Sequence, residues 1–198
     1  MSVNLKKGQK IDLKKDNGKS LKHLTVGLGW DAIAPGFFKS LFSSTPKFDC
    51  DASAIMCQNG KLLGTQDLVY FGNRQHPSGA VVHTGDNLTG DGDGDDEQII
   101  VNLEQIPSQY DKIIFVVNIY QAVQRSQHFG MIRNAFIRIV DNDTHEEICR
   151  YDLSEKFNNM IALIFAEVYR KDGVWKFNAI GQATDDVSLT KVAARYQV

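Results

Sequence analysis

Residues 85–97 read GDNLTGDGDGDDE. Six of these thirteen are acidic (Asp86, Asp91, Asp93, Asp95, Asp96 and Glu97), four are glycine and none is basic. A quarter of the chain's 24 acidic residues stands in this one run, and it turns a basic remainder into a net charge of −2. Like charges at such density repel one another unless a cation sits among them. Carboxylates on a backbone that turns tightly at glycine offer what Ca²⁺ requires, about six to eight oxygen donors in flexible geometry. Charge runs are commonly solvated loops, but Gly alternates with Asp through 90–95, which favours a folded cage.

Known calcium and phosphate motifs narrow the chemistry. Counted from Asp91, the first three acidic positions of an EF-hand agree, but position 6 is Asp96 rather than Gly and position 12 is Asn102 rather than Glu. The flanking segments also read as strands, so the loop is not an EF-hand. A calcium β-roll needs many copies of its repeat, and the run occurs once. A phosphate loop needs Lys and Ser or Thr after its glycines, and neither follows. What remains is a loop-borne site at one end of a β-sandwich, where several loops converge on an ion. Asp49 and Asp51, in FDCDASA, stand two apart on an apolar strand and so share a face. Carboxylates there are costly to bury unless paired or metal-bound. Asp67 and Asn73 bracket the short apolar segment 68–71, either as further donors or as ordinary turn formers.

Catalytic constellations are weak. His23, His76, His83, His128 and His145 are scattered without metalloprotease spacing. Ser78 lies near His83 but not on a strand–Ser–helix elbow. His76 and His83 could join the acidic loop in a mixed nitrogen–oxygen site for a transition metal, although a loop histidine is ordinarily at the surface. Trp30, Trp175 and Phe177 read as core or sheet-face aromatics.

The elements that must position these residues are strands. Segments 21–28, 48–56, 68–71, 99–103, 112–120, 134–140, 148–153, 161–169 and 174–180 are short, β-branched and aromatic, and bounded by turn formers. Lys171-Asp172-Gly173 reads as a hairpin turn, and the continuously apolar 113–117 as a central strand covered on both faces. Helix is expected only near 103–110, 122–127 and 187–194, and a ragged edge strand within the Lys-rich 1–20. The pattern predicts an all-β fold: an antiparallel β-sandwich of two sheets with a few short helices, in a single domain over 1–198. With 42% hydrophobic residues the chain can bury a core without disulfides. Cys50, Cys57 and Cys149 are odd in number and no export signal precedes them, so they are expected as reduced, buried thiols in the cytoplasm. No apolar run is long enough to span a membrane, and the charge gives no reason to expect nucleic-acid binding.

GLGWD (27–31), FDCDASA (48–54), DLVYFGN (67–73), the acidic run, RYDLS (150–154), AEVYRKDGVWKF (166–177) and AIGQ (179–182) resemble, in order, the signature blocks of the TerD family of bacterial tellurite resistance. The resemblance implies a β-sandwich that binds Ca²⁺, usually two ions, through acidic loops. The residues it marks as metal-binding are Asp49, Asp51, Asn73, Asp86, Asn87, Asp91, Asp93, Asp95, Asp96 and Glu97. Cys50 stands where that family usually has an aliphatic residue. The expectation is a non-enzymatic, Ca²⁺-dependent interaction or scaffold module. Its partners would be other stress-response or tellurite-resistance proteins, with membrane contact only if indirect or calcium-bridged. The rival is a metal-dependent enzyme or a direct handler of toxic oxyanions.

Overall fold

A computed structural model describes residues 2–15, 17–32, 48–85, 94–153, 155 and 157–197. Period-two burial organises it. Along β3 (His23–Ala32), Leu24, Val26, Leu28 and Trp30 are buried inward, while Thr25, Gly27, Gly29 and Asp31 fall on the opposite face. β7 (Glu97–Asn102) repeats this pattern with Glu97, Ile99 and Val101 inward.

The two faces meet as two six-stranded sheets. The first sheet runs β1 (Val3–Leu5), β10 (Glu146–Asp152), β9 (Ile132–Asp141), β3, β7, β6 (Val81–His83). The second runs β2 (Lys10–Asp12), β12 (Val174–Thr184), β11 (Ala162–Lys171), β8 (Lys112–Ile119), β4 (Cys50–Cys57), β5 (Leu68–Val69). Phe115, Phe165, Phe177, Leu24, Leu28 and Ile99 are among the large side chains buried between them. The all-β sandwich expected from the sequence is thus what forms. Pairing is antiparallel throughout except that β1 runs parallel to β10, so the sandwich is mixed at that edge.

β11 and β12 are joined at Asp172-Gly173, both with positive φ (53° and 75°), the pair of left-handed residues that a tight right-twisting hairpin demands. Segment 113–117 is covered on both faces, as its composition requires. Ile113, Phe115 and Val117 enter the inter-sheet core, while Ile114 and Val116 lie in an outer cluster with Ile55, Ile164 and Val192. Val192 belongs to α2 (Leu189–Ala194), which lies within the expected 187–194 and is capped by the Ser188 hydroxyl accepting from the Lys191 N–H at 3.3 Å. α1 (Ala122–Arg125) also forms, whereas 103–110 makes only turns. The expected ragged edge strand is two strands, β1 and β2, one on each sheet. The three cysteines are free and buried. Among the described residues no helix is long and apolar enough to cross a membrane.

Candidate metal centre

Three consecutive acids, Asp95, Asp96 and Glu97, leave the acidic run and enter β7 in three directions. Both ends of the run are held: the Thr84 N–H, just after β6, donates to the Gln98 carbonyl at 3.1 Å. Asp86, Asn87, Asp91 and Asp93 lie outside the described residues.

Glu97 turns inward and is 2% exposed. Its Oε2 accepts the N–H of Ala52 at 2.5 Å, on the side of β4 that β5, paired only at Ala54 and Ile55, leaves open. One edge of the second sheet is thereby closed by a carboxylate from the first. His83, 1% exposed, lies beside it with Nε2 3.4 Å from Glu97 Oε2. The Gly85 N–H donates to His83 Nδ1 at 3.1 Å, so the neutral ring carries its proton on Nε2, facing Glu97. His83 and His76 are both buried, so the expectation of a surface loop histidine fails for each.

Asp96 keeps to the end of β3. Its N–H donates to the Leu28 carbonyl at 2.8 Å and its Oδ2 accepts the Trp30 N–H at 2.7 Å. Burial, followed by the charges of Asp31, Asp95 and Glu97, raises its carboxyl to about 6 against that stabilising N–H. The buried Cys50 thiol is likewise pushed well up, by burial and then by Asp51, Glu97, Asp49 and Asp96. Asp51, on the opposite face of β4 from Cys50, and Glu97, bonded to the Ala52 N–H, thus approach the same end of β4 from different sides. Asp49 also pairs with Arg125 at 3.4 Å, and Asp51 accepts from Asn118 at 3.3 Å.

Asp95 has a different environment. It lies on the outer face of the first sheet, where its two oxygens meet Arg138 Nε at 2.7 Å and Nη2 at 3.0 Å, with Gln98 donating at 3.0 Å. Gly27, opposite both Arg138 and Gln98, makes room: a Cβ there would collide with the Asp95 carboxylate. A Cβ at Gly29 would strike the Phe136 ring and crowd the Gly94 carbonyl. The two glycines of GLGWD are therefore the bed on which the end of the acidic run lies.

Asn73 donates through Nδ2 to the Leu68 carbonyl at 2.6 Å and closes its own turn. Asp67 is fully buried away from the acidic end, accepting from the Tyr110 hydroxyl at 2.7 Å with His76 Nε2 at 3.2 Å. Burial and this carboxylate push the Tyr110 phenol up to about 12. His76 and His83 thus stand on different networks, and among the described residues the two are not brought together.

Sequence reasoning missed Arg138 as a neighbour of the site, whereas His83, weighed there as a partner of the acidic loop, does stand beside Glu97. Arg138, in Phe136-Ile137-Arg138-Ile139, carried a signal: a charge on an apolar strand needs a partner. Among the described residues, no group of three or more His, Cys, Asp or Glu is arranged to hold a metal by itself. The donor chemistry nonetheless fits Ca²⁺: the converging groups are hard oxygens, and the nearest imidazole nitrogen is turned to Glu97.

The TerD domain model matches residues 1–196. The chain belongs to the TerD family. It is 50% identical to stress response protein SCP2 of Bacillus subtilis (strain 168), over 99% of this chain and 100% of that one. Tellurium resistance protein TerD of Serratia marcescens is 44% identical over 100% and 98% of the two chains. Among solved structures, the unknown-function protein SAV2460 superposes with a TM-score of 0.68 at 23% identity, covering 91% of this chain and 99% of that one, a likeness of fold.

Proposed function

We propose that this TerD-family protein is a Ca²⁺-binding module, without catalysis of its own, that works in the cytoplasm by holding other stress-response or tellurite-resistance proteins in a Ca²⁺-dependent way. The observation that carries the reading is that Glu97 reaches β4 and accepts the Ala52 N–H at 2.5 Å, next in sequence to Asp51, at the end where the acidic run joins β6 and β7. Carboxylates kept together at such cost call for a divalent cation. Asp96 and Glu97, with Asp49, Asp51 and donors from 86–93, would hold the ions, two in number as the family resemblance implies. Asp95 anchors the run to Arg138. Bound Ca²⁺ would neutralise this end and present a surface whose charge depends on the metal. The resemblance of the chain to a tellurium resistance protein and to a stress response protein supports the physiological setting.

The test is calorimetric titration of chelator-stripped protein with Ca²⁺, Mg²⁺ and Zn²⁺, followed by retention of proteins from a stressed bacterial lysate on the immobilised chain with Ca²⁺ or chelator. Ca²⁺ should bind tightest, Asp96→Asn and Glu97→Gln should each weaken it at least tenfold, and retention should need Ca²⁺. Preference for Zn²⁺, or retention indifferent to chelator, would overturn the reading. Turnover of a phosphoester or oxyanion, abolished by Glu97→Gln, would replace it with the enzymatic one.

A further inference from the structure

The outer face of the second sheet changes character along its length. At one end α2 covers Ile55, Ile114, Val116 and Ile164. At the other, the same strands carry Ser53 and Asp51 on β4 and Asn118 on β8, directly opposite Asp51. Among the described residues α1 and the start of α2 flank these three, through Gln124, Leu189 and Thr190, and leave a space over them. The three line a cavity of about 730 Å³ whose walls include Tyr70, Phe71 and Tyr120.

Two of the polar groups lack partners. The Ser53 hydroxyl, in a residue 1% exposed, makes no hydrogen bond, and neither does the buried Oδ1 of Asn118. Unsatisfied buried polar atoms cost roughly 1–3 kcal/mol each. A sheet face that is otherwise Ile and Val would be cheaper with apolar residues at 53 and 118. The groups that remain open are a carbonyl oxygen and a hydroxyl beside a carboxylate, so the cavity asks for N–H donors. Among the described residues lining it there is no Lys, Arg or His, and an anion would meet nothing of opposite charge. Aromatic walls suit a flat or aliphatic body attached to a cation, and the volume is that of ordinary small-molecule sites.

We propose that this cavity is a binding site for a small organic cation with several N–H donors, of the amine or guanidinium class. The nitrogen donates to Asn118 Oδ1 and Ser53 Oγ, the charge faces Asp51, and the body lies among Tyr70, Phe71 and Tyr120. The site shares Asp51 with the calcium reading, but its other walls belong to β4, β8, α1, α2 and their loops rather than to the acidic run. Asp51 borders both ends, so the test uses the other two residues.

Full-length protein, stripped with chelator and again with Ca²⁺, is titrated with agmatine by calorimetry, with succinate and 1,4-butanediol as anionic and neutral counterparts, and the chelator-stripped protein decides. Agmatine should bind at one saturable site and the counterparts should not. Asn118→Leu, which keeps the volume and removes the acceptor, should weaken agmatine at least tenfold, and Ser53→Ala severalfold. Calcium uptake and melting midpoint should hold in both. Amide shift mapping on the unsubstituted protein supplies a readout independent of any variant and should centre on Ser53, Asn118 and Tyr70. The proposal falls if agmatine fails to saturate at millimolar concentration, if succinate matches it, if Asn118→Leu binds unchanged, or if the shifts centre on 94–97. Calcium uptake is measured separately, so its failure would remove the calcium reading and leave this one standing.

Discussion

Asp95, Asp96 and Glu97 are adjacent in sequence and chemically alike, yet the fold gives each a different neighbour. Asp95 is engaged by Arg138, Asp96 by the backbone of Trp30, and Glu97 by the backbone of Ala52 across the sandwich. Their acidity was legible in the sequence; their division of labour was not, because it depends on which face each residue takes once β7 pairs with β3. Glycine offered the better clue, since Gly27 and Gly29 alternate on one face of a strand where side chains would normally stand. The consequence is testable. Asp95→Asn should lower stability by about 1–2 kcal/mol even without metal, because it weakens a bidentate charged pair that is only partly buried. Arg138→Leu should do the same, and the double substitution should cost less than the two singles together. Chemical denaturation in chelator measures all three; additive losses would mean that the pair does not anchor the run.

At the scale of elements, strands were readable where an apolar run is bounded by turn formers, as even the two-residue β5 within 68–71 is, and unreadable where that signal is lacking. β8 and β11 were anticipated from apolar runs that end on turn formers. β6, three residues long, was not, since too few residues stand on each face to make a pattern. The segment 103–110 looked helical but makes turns, its apolar Leu103, Ile106 and Tyr110 each reaching the core from an irregular backbone. The turn after β9 belongs to the fold's fastening rather than to metal. Lys15 bonds Asp141 and Asp143, each at 2.9 Å, and His23 meets Asp143 at 3.0 Å. Hydrogen bonding from Lys15, then from His23, holds the Asp143 carboxyl below its ordinary value. A lowered folded-state pKa stabilises the fold above the unfolded value of about 3.9 and is lost as pH falls through the folded one. Asp143→Asn should therefore flatten the acid side of the melting profile between pH 5 and pH 2 while leaving calcium uptake unchanged. A matching loss of calcium would show that general surface charge, not a cage, holds the ion.

For the molecule as a whole, the two sheets close around one apolar cluster, and the acidic end is the place where that closure relies on charge. Glu97 bonding to β4 ties the sheets together beside carboxylates that repel one another. Calcium should therefore act on global stability and not only on the loop. At a hundredfold excess over Kd, binding adds about 2.7 kcal/mol, which for a chain of this size is a rise of about 5–10 °C in melting midpoint. Scanning calorimetry with Ca²⁺ and with chelator measures it. Equal midpoints despite measured binding would make the acidic run an appendage uncoupled from the sandwich.

The first twelve residues have a role that their Lys-rich composition conceals. β1 occupies the outer side of β10 and β2 the outer side of β12, so one short stretch of chain finishes an edge on each sheet. Lys6, Lys7 and Lys10 around these strands add charge that discourages another strand from docking. A chain that starts at residue 13 would keep Leu13, lose only Leu5 of the buried core with the half-buried Ile11, and expose two long strand edges, on β10 and β12, with their backbone donors and acceptors unpaired. Such a molecule should polymerise through its margins: light scattering should rise with concentration at temperatures where the intact chain stays dispersed. In this family member the leading residues would then serve as a chaperone carried in cis, keeping a sticky sandwich from recruiting its own copies.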